Sequence, residues 1–328
     1  MSTHNLIHNR SRSTTTMEEL IKLLLRYTIM APSSHNTQPW KFRVTEDQIQ
    51  IYADFNRWLA VADADRRELY ISVGCALENL LLAAHTFRYR CKVTYFPDPS
   101  QEDWVADVKL KNDPDLHDEE SMALFSYVMR RRTYHHRFQT QPIEKKVQER
   151  LKAWAYPDGV DLYLVEDVEH KHKIEELIVQ GDAIQFADPD FRQELGYLVG
   201  QSVFGTSWLI SKMGQWVVTH LNVGKQQSEK DAALIEQAPL IGILYTKNNS
   251  REVEVKVGQA YERLNLGCTQ LNIGVQPMSQ PLEVPALKQQ LAKFLPYPDS
   301  YPQHLFRIGY ADLEQKPTPR KEVEEFLF

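Results

Sequence analysis

The chain has 328 residues, 42% of them hydrophobic and 25% charged, with a formal charge of −6. This is an ordinary globular composition, and no apolar run approaches the ~18 residues of a membrane span. The acidic balance counts against a nucleic-acid binder. Cys75, Cys91 and Cys268 are too few and too widely spaced for a disulfide framework or a metal site, which suits a reducing cytoplasm.

Residues 1–16 are polar and lack an apolar core, so they read as a disordered tail rather than a secretory signal. Leu20, Leu23, Leu24 and Tyr27 recur at helical spacing and predict a helix over 17–30, stopped by Ala31-Pro32. A strand pair is expected at 40–44 and 49–52, turning near Glu46-Asp47. Asp65 with Glu68 looks like a capping box opening a helix to about residue 88. Strands follow at 92–96 and 105–110, and the acidic stretch 113–120 marks a boundary. The pattern then predicts helices at 122–131 and 143–154, a strand at 160–165 and a helix at 168–184. Residues 188–230 read as a long, less regular stretch in which Trp208, Met213 and Trp216 are expected to be core. A buried strand at 240–245, a helix at 253–271, a last strand at 305–310 and a short terminal helix complete the pattern.

Ten residues repeat without gaps. Val73-Gly74-Cys75-Ala76-Leu77-Glu78-Asn79-Leu80-Leu81-Leu82 aligns with Val257-Gly258-Gln259-Ala260-Tyr261-Glu262-Arg263-Leu264-Asn265-Leu266. Gly, Glu and Val fall in register, which points to duplication rather than to two amphipathic helices alike by composition. The small residues would let two central helices cross closely on a pseudo-two-fold axis.

Three segments carry chemistry. Ala31-Pro32-Ser33-Ser34-His35-Asn36-Thr37-Gln38-Pro39-Trp40 collects hydroxyls and amides; amides suit the donor–acceptor edge of a heteroaromatic ring, and equally an elaborate helix stop. Arg130-Arg131-Arg132-Thr133-Tyr134-His135-His136-Arg137 offers guanidinium groups for a phosphate, or cations at a helix C-terminus. Pro317-Thr318-Pro319-Arg320-Lys321 is, alone, a stiffened charged tail.

Together these segments resemble the nitroreductase superfamily of FMN enzymes, and residues 59–77 narrow the likeness to the Acg-like branch, which carries two nitroreductase halves in one chain. The likeness covers residue 17 to the end. It implies an α+β fold, a central sheet flanked by helices, built as a pseudo-dimer of a half at 17–118 and a half at 119–328. It implies FMN-binding roles for Ser33, Ser34, Asn36 and Gln38 of the first half. From the second half it implies Arg131, Thr133, His135 and Arg320 at the phosphate, with Pro277, Met278, Ser279 and Gln280 as a turn facing the flavin N5 edge. His135 stands where the family has a fixed cation, so Arg131 and Arg320 would carry the phosphate, with Arg132 in reserve.

The first half lacks a convincing Arg-x-Ser element, and Ala153-Trp154-Ala155-Tyr156-Pro157 is a poor second Asn-x-Gln-Pro-Trp segment. One complete site across the halves is therefore expected, and one decayed site. The implied activity moves reducing equivalents from NAD(P)H, a transient visitor, through FMN to a small electron-poor acceptor such as a nitroaromatic or quinone; no catalytic side chain and no metal is required. The competing reading is a flavin-sequestering protein with little turnover, residues 188–230 being a candidate lid.

Overall fold

The computed structural model describes residues 16–155, 159–201, 205, 208–221 and 223–328. The eight strands among them form two four-stranded antiparallel sheets. In the first half β1 (Trp40–Thr45), β2 (Gln48–Ala53), β3 (Tyr89–Tyr95) and β4 (Trp104–Asn112) lie in the order β1-β2-β4-β3. In the second half β5 (Val160–Val165), β6 (Leu240–Thr246), β7 (Ile273–Pro277) and β8 (Tyr301–Tyr310) lie in the order β5-β6-β8-β7. The two orders are the same. Even the register breaks correspond: the β2–β4 pairing shifts between Ile51 and Tyr52, the β6–β8 pairing between Leu244 and Tyr245. A bulge is a local device that random strands would not share at one position.

The sheets meet over two central helices, α2 (Arg67–Thr86) and α9 (Arg251–Gln270). A Cβ on Gly74 would lie 2.0 Å from the carbonyl oxygen of Val255, and one on Gly258 would lie 2.0 Å from that of Ile71. The contact is reciprocal, as the sequence repeat requires of a pseudo-two-fold axis, and only glycine permits it. The Cys75 thiol donates to the Gly258 carbonyl at 3.2 Å on the same crossing. By length and composition α2 could span a membrane, but its residues are mostly buried in the core.

Helix α1 (Met17–Thr28) opens on a capping box. Thr16 Oγ1 accepts from the Glu19 amide, and Glu19 accepts from the Thr16 amide. Leu20, Ile21, Leu24 and Leu25 are its buried face. The expected Asp65 box on α2 is not formed. Arg66 adopts a left-handed conformation (φ 61°), so the Asp65 carboxylate turns to the Arg67 amide, and Asp63 caps the helix by accepting from Glu68 and Leu69 at 2.9 Å each.

Helix α3 (Glu119–Phe125) stops six residues short of the predicted end, and turns carry the chain to α4 (Lys145–Trp154). The arginine run is thus not a helix terminus. Beyond β5, α5 (Val168–Ala187) leads into the stretch expected to be irregular, which is helical: α6 (Pro189–Gly200), α7 (Trp208–His220) and α8 (Gly224–Glu236). Its glycines are contact points between α6 and α7; a Cβ on Gly196 would lie 2.2 Å from Thr219 Oγ1. Met213 and Trp216, expected in the core, are 64% and 57% exposed, because α7 packs on α6 through its Gly214, Gln215 and Thr219 side. The Trp208 side chain lies outside the described residues. So do Tyr156 and Pro157 of the expected decayed segment, and most of the N-terminal tail.

After β7 come two short helices, α10 (Gln280–Glu283) and α11 (Pro285–Ala292). The tail beyond β8 then crosses to the first half. Leu327 forms a parallel bridge with Phe42, and Phe326 packs at 6.2 Å from the Trp40 ring.

Candidate functional site

The loop between α1 and β1 is under backbone strain. His35, Asn36 and Gln38 all hold positive φ (47°, 58° and 52°), a conformation costly outside glycine and concentrated at functional sites. Ser33 Oγ accepts the Gln38 amide at 2.9 Å, closing the loop on itself. The Ser34 hydroxyl donates to Glu68 of α2 at 2.7 Å.

Asn36 and Gln38 have a different immediate task from ring contact. Asn36 donates to the Pro319 carbonyl at 3.0 Å and accepts from Arg320 Nη1 at 2.9 Å, and Gln38 Oε1 accepts the Lys321 amide at 3.1 Å. Arg320 also donates to the carbonyls of Met30 and Ala31. The loop thus captures the tail and sets the plane of the Arg320 guanidinium.

Arg320 does not stand alone. Burial pushes it down to about 9, and the charges of Arg131 and Arg132 add to that while Glu262 opposes it. Arg131 and Glu262 are both buried, yet Arg131 Nε stands 3.6 Å from Glu262 Oε1, beyond hydrogen-bond reach. Among the described residues, Arg131 Nε and Nη1, Arg132 Nε and Arg320 Nε are buried donors with no acceptor. Buried guanidinium N–H groups left unpaired are expensive. Arg131 and Arg320 act on the one buried carboxylate, with Arg132 beside them, so cations outnumber acceptors there. Burial raises Glu262 itself to about 7, against the pull of Arg131, so it is a weak counter-ion.

Thr133 follows these arginines in the chain. His135 keeps other company: burial lowers it to about 4, and the charges acting on it are Lys230, Arg307, His136 and His35. Arg307 anchors the segment behind it. Its Nε donates to Gln276 Oε1 at 2.7 Å and its Nη2 to the His136 carbonyl at 2.7 Å, with its plane 4.2 Å above the Phe138 ring.

Of the expected 277–280 turn, Pro277 ends strand β7, Gln280 opens α10, and the Met278 side chain is buried in the core with Leu305 and Ile178. Ser279 supplies a hydroxyl to the Glu68 carboxylate, as Ser34 does from the other half. Burial alone would raise that carboxyl. Arg67 and the two hydroxyls outweigh it and keep Glu68 ionised. Gln280 reaches Asp182 of α5 at 3.2 Å and Asp231 of α8 at 2.9 Å.

Helix α6 packs on the 59–62 turn of the first half. Glu194 accepts the amides of Val61 and Ala62 at 3.1 and 2.9 Å, while Phe186, Phe191 and Leu198 pack with Leu59 and Ala62. A Cβ on Gly205, in the α6–α7 connection, would lie 3.1 Å from Pro319. Glu68, Glu262, Arg307, Asp182 and Asp231 were not picked out by the sequence as site residues. Glu68 was read there only as a helix-capping residue, and Glu262 only as the repeat partner of Glu78.

Residues 128–310, more than half of the chain, match the family model described as the nitroreductase family. A Mycobacterium tuberculosis H37Rv protein named "Putative NAD(P)H nitroreductase Rv3131" is 26% identical over 318 residues, covering 94% of this chain and 91% of its own. A second from that strain, "Putative NAD(P)H nitroreductase acg", is 22% identical over 320 residues, covering 94% and 95%. A crystal structure from Anabaena variabilis ATCC 29413, described as a "putative nitroreductase", superposes with a TM-score of 0.57 at 12% identity, over 94% of this chain and 91% of that one. Two equivalent half-sheets on a reciprocal helix crossing and a full-length likeness to that crystal structure agree with the family match: the chain belongs to the nitroreductase family of oxidoreductases.

Proposed function

We propose that the chain is an FMN-dependent oxidoreductase that passes reducing equivalents from NAD(P)H to a small electron-poor acceptor, a nitroaromatic or a quinone. The observation that carries this reading is the set of unpaired buried donors on Arg131, Arg132 and Arg320, which fits a phosphate ester at a junction of the two halves. Arg131 and Arg320 would hold the phosphate, Asn36 would keep Arg320 in place, and Thr133 would add a hydroxyl. Ser279 and Gln280 would lie at the N5 edge of the ring, with Ser33, Ser34 and Gln38 shaping the loop opposite. Bound flavin would supply the two-electron chemistry; the side chains bind, orient and exclude water. The division into halves at 17–118 and 119–328 belongs to the same proposal, with the tail beyond residue 311 packed on the first half.

The test is direct. Purified protein should carry one FMN per chain and lose its yellow absorbance anaerobically on addition of NADH or NADPH. Arg131→Ala and Arg320→Ala should each weaken FMN by roughly 1.5–3 kcal/mol, about tenfold to a hundredfold. A double variant with full flavin content would place the phosphate elsewhere.

A second reading, flavin binding with little turnover, is favoured by one observation. Helix α6 is fastened to the 59–62 turn, and the cavity beside Ser34, Thr37 and Arg57 holds about 10 Å³, room for one water. Flavin that is bound yet not bleached by either nicotinamide would select this reading.

A further inference from the structure

The reaction proposed above consumes a proton, and the second half contains a place to keep one. Asp182 on α5 and Asp231 on α8 are 2% and 3% exposed, and one amide holds them together: Gln280 Nε2 donates to Asp182 Oδ1 at 3.2 Å and to Asp231 Oδ2 at 2.9 Å. Gln227 Nε2 donates to the same Asp231 oxygen at 2.9 Å, and Asp182 Oδ2 is buried with no partner. Two buried carboxylates this close cannot both ionise without a large cost. Both helices belong to the excursion between β5 and β6, whose first-half counterpart is the turn at Glu46-Asp47, so the fold brings this pair to one site only.

We propose that Asp182 and Asp231 share a single proton and deliver it to the acceptor during its reduction, acting beside the 279–280 turn. The proposal rests on the oxidoreductase reading above. With a quinone the balance is quinone + NAD(P)H + H⁺ → hydroquinone + NAD(P)⁺. A hydride equivalent, carrying two electrons, comes from the nicotinamide by way of the flavin. The proton comes from the carboxyl O–H, which breaks as the new hydroquinone O–H forms, and solvent then reprotonates the pair. The proton travels by site water, because Gln280 donates to both carboxyl groups and has no acidic proton to pass on.

The groups facing the pair set its range. Burial and the charge of Asp231 raise Asp182 to about 7, while Gln280 opposes the rise. Burial likewise raises Asp231, against Gln227, Lys230 and Arg307. A shared proton near neutrality suits an acid working at cytoplasmic pH.

The experiment uses holoprotein and the variants Asp182→Asn and Asp231→Asn. Anaerobic bleaching by NADPH, which needs no added proton, should stay within about threefold of wild type, with FMN content unchanged. Reoxidation of the reduced protein by 1,4-benzoquinone should slow about a hundredfold in either variant. The wild-type reoxidation rate should fall as pH rises through about 7, and that fall should vanish in the variants. Infrared difference spectra of holoprotein, wild type minus variant, give a readout independent of turnover: a protonated-carboxyl band below that pH that each variant has lost. No such difference band overturns the proposal, as do half-reactions slowed alike or not at all. A wild type that NADPH and NADH both fail to bleach overturns the reading of function instead, and the infrared band alone then decides whether the pair holds a proton.

Discussion

Two glutamates at matching places in the repeat have opposite circumstances. Glu78 of α2 is satisfied: Arg263 Nη1 and Gln259 Nε2 donate to its two oxygens at 3.0 Å each. Glu262 of α9, equally buried, faces Arg131 at 3.6 Å, and its cation is left short of acceptors. One pair has settled into structure and the other has kept unspent donors. Duplication supplies two equivalent positions on one axis; only one needs to hold the core together, and the other keeps the donors assigned above to the proposed phosphate. The loops repeat the lesson. The first half joins its leading strands by a turn, and the second interposes α5 to α8, which reach Gln280 through Asp182 and Asp231 and the first half through Glu194.

The most severe test strikes what the halves share. Gly74→Ala and Gly258→Ala should each cost roughly 4 kcal/mol or more, since the new methyl would meet a backbone carbonyl at 2.0 Å. The two losses should be similar in urea melts; a large inequality would show that the axis is geometric but not energetic. Next come the glutamates. Glu78→Gln should cost roughly 1–3 kcal/mol by leaving the largely buried Arg263 with Glu120 as its remaining carboxylate, with little effect on flavin. Glu262→Gln should tighten FMN, because it removes the anion that competes for Arg131. Equal effects on flavin from both variants, by fluorescence titration, would erase the distinction.

The third prediction concerns acid. His304 is buried with both ring nitrogens unpartnered among the described residues, its ring centroid 4.3 Å from that of Tyr261, and burial lowers it to about 4. The unfolded chain protonates this imidazole at its ordinary ~6.5, so between ~6.5 and 4 the unfolded state binds more protons. Its contribution is whole above ~6.5 and is lost as pH falls toward 4, up to roughly 3 kcal/mol. His304→Phe should flatten that part of the stability–pH curve; an unchanged slope would move the effect to another group. The smallest effect belongs to α7. Trp216→Ser or Met213→Ser should change stability by less than about 0.5 kcal/mol, since both side chains face solvent. A larger loss in thermal melts would mean that this face is covered in solution.

Much of this was legible in the sequence, for identifiable reasons. The strands and central helices follow from short-range periodicity, and β5 has the bounds expected of it. The glycine crossing was visible because duplication wrote it twice. The Asp65 box failed because a left-handed Arg66 changes which amides point at which carboxylate, something spacing does not encode. Residues 188–230 were expected to be irregular, yet they are helical, and their glycines serve close packing between α6 and α7. Of the candidate residues, the structure brings Asn36 to Arg320 and Arg320 near Arg131 and Arg132, a division of labour that the sequence did not show. Nothing local says that Asn36 secures a tail guanidinium, and the Asp182–Asp231 pair exists only once two helices and a turn have met.

That tail has a consequence for how the molecule assembles. Arg320 and Asn36 are 284 residues apart in sequence, and their hydrogen bond lies beside the Leu327–Phe42 bridge. Closing so long a separation costs loop entropy before its contacts reward it, which places it among the later contacts to form. Because the same guanidinium borders the unpaired arginine donors, an anion bound there would favour the closed arrangement by mass action. Cofactor supply would then act as a late folding checkpoint, setting how much of the chain reaches its finished form.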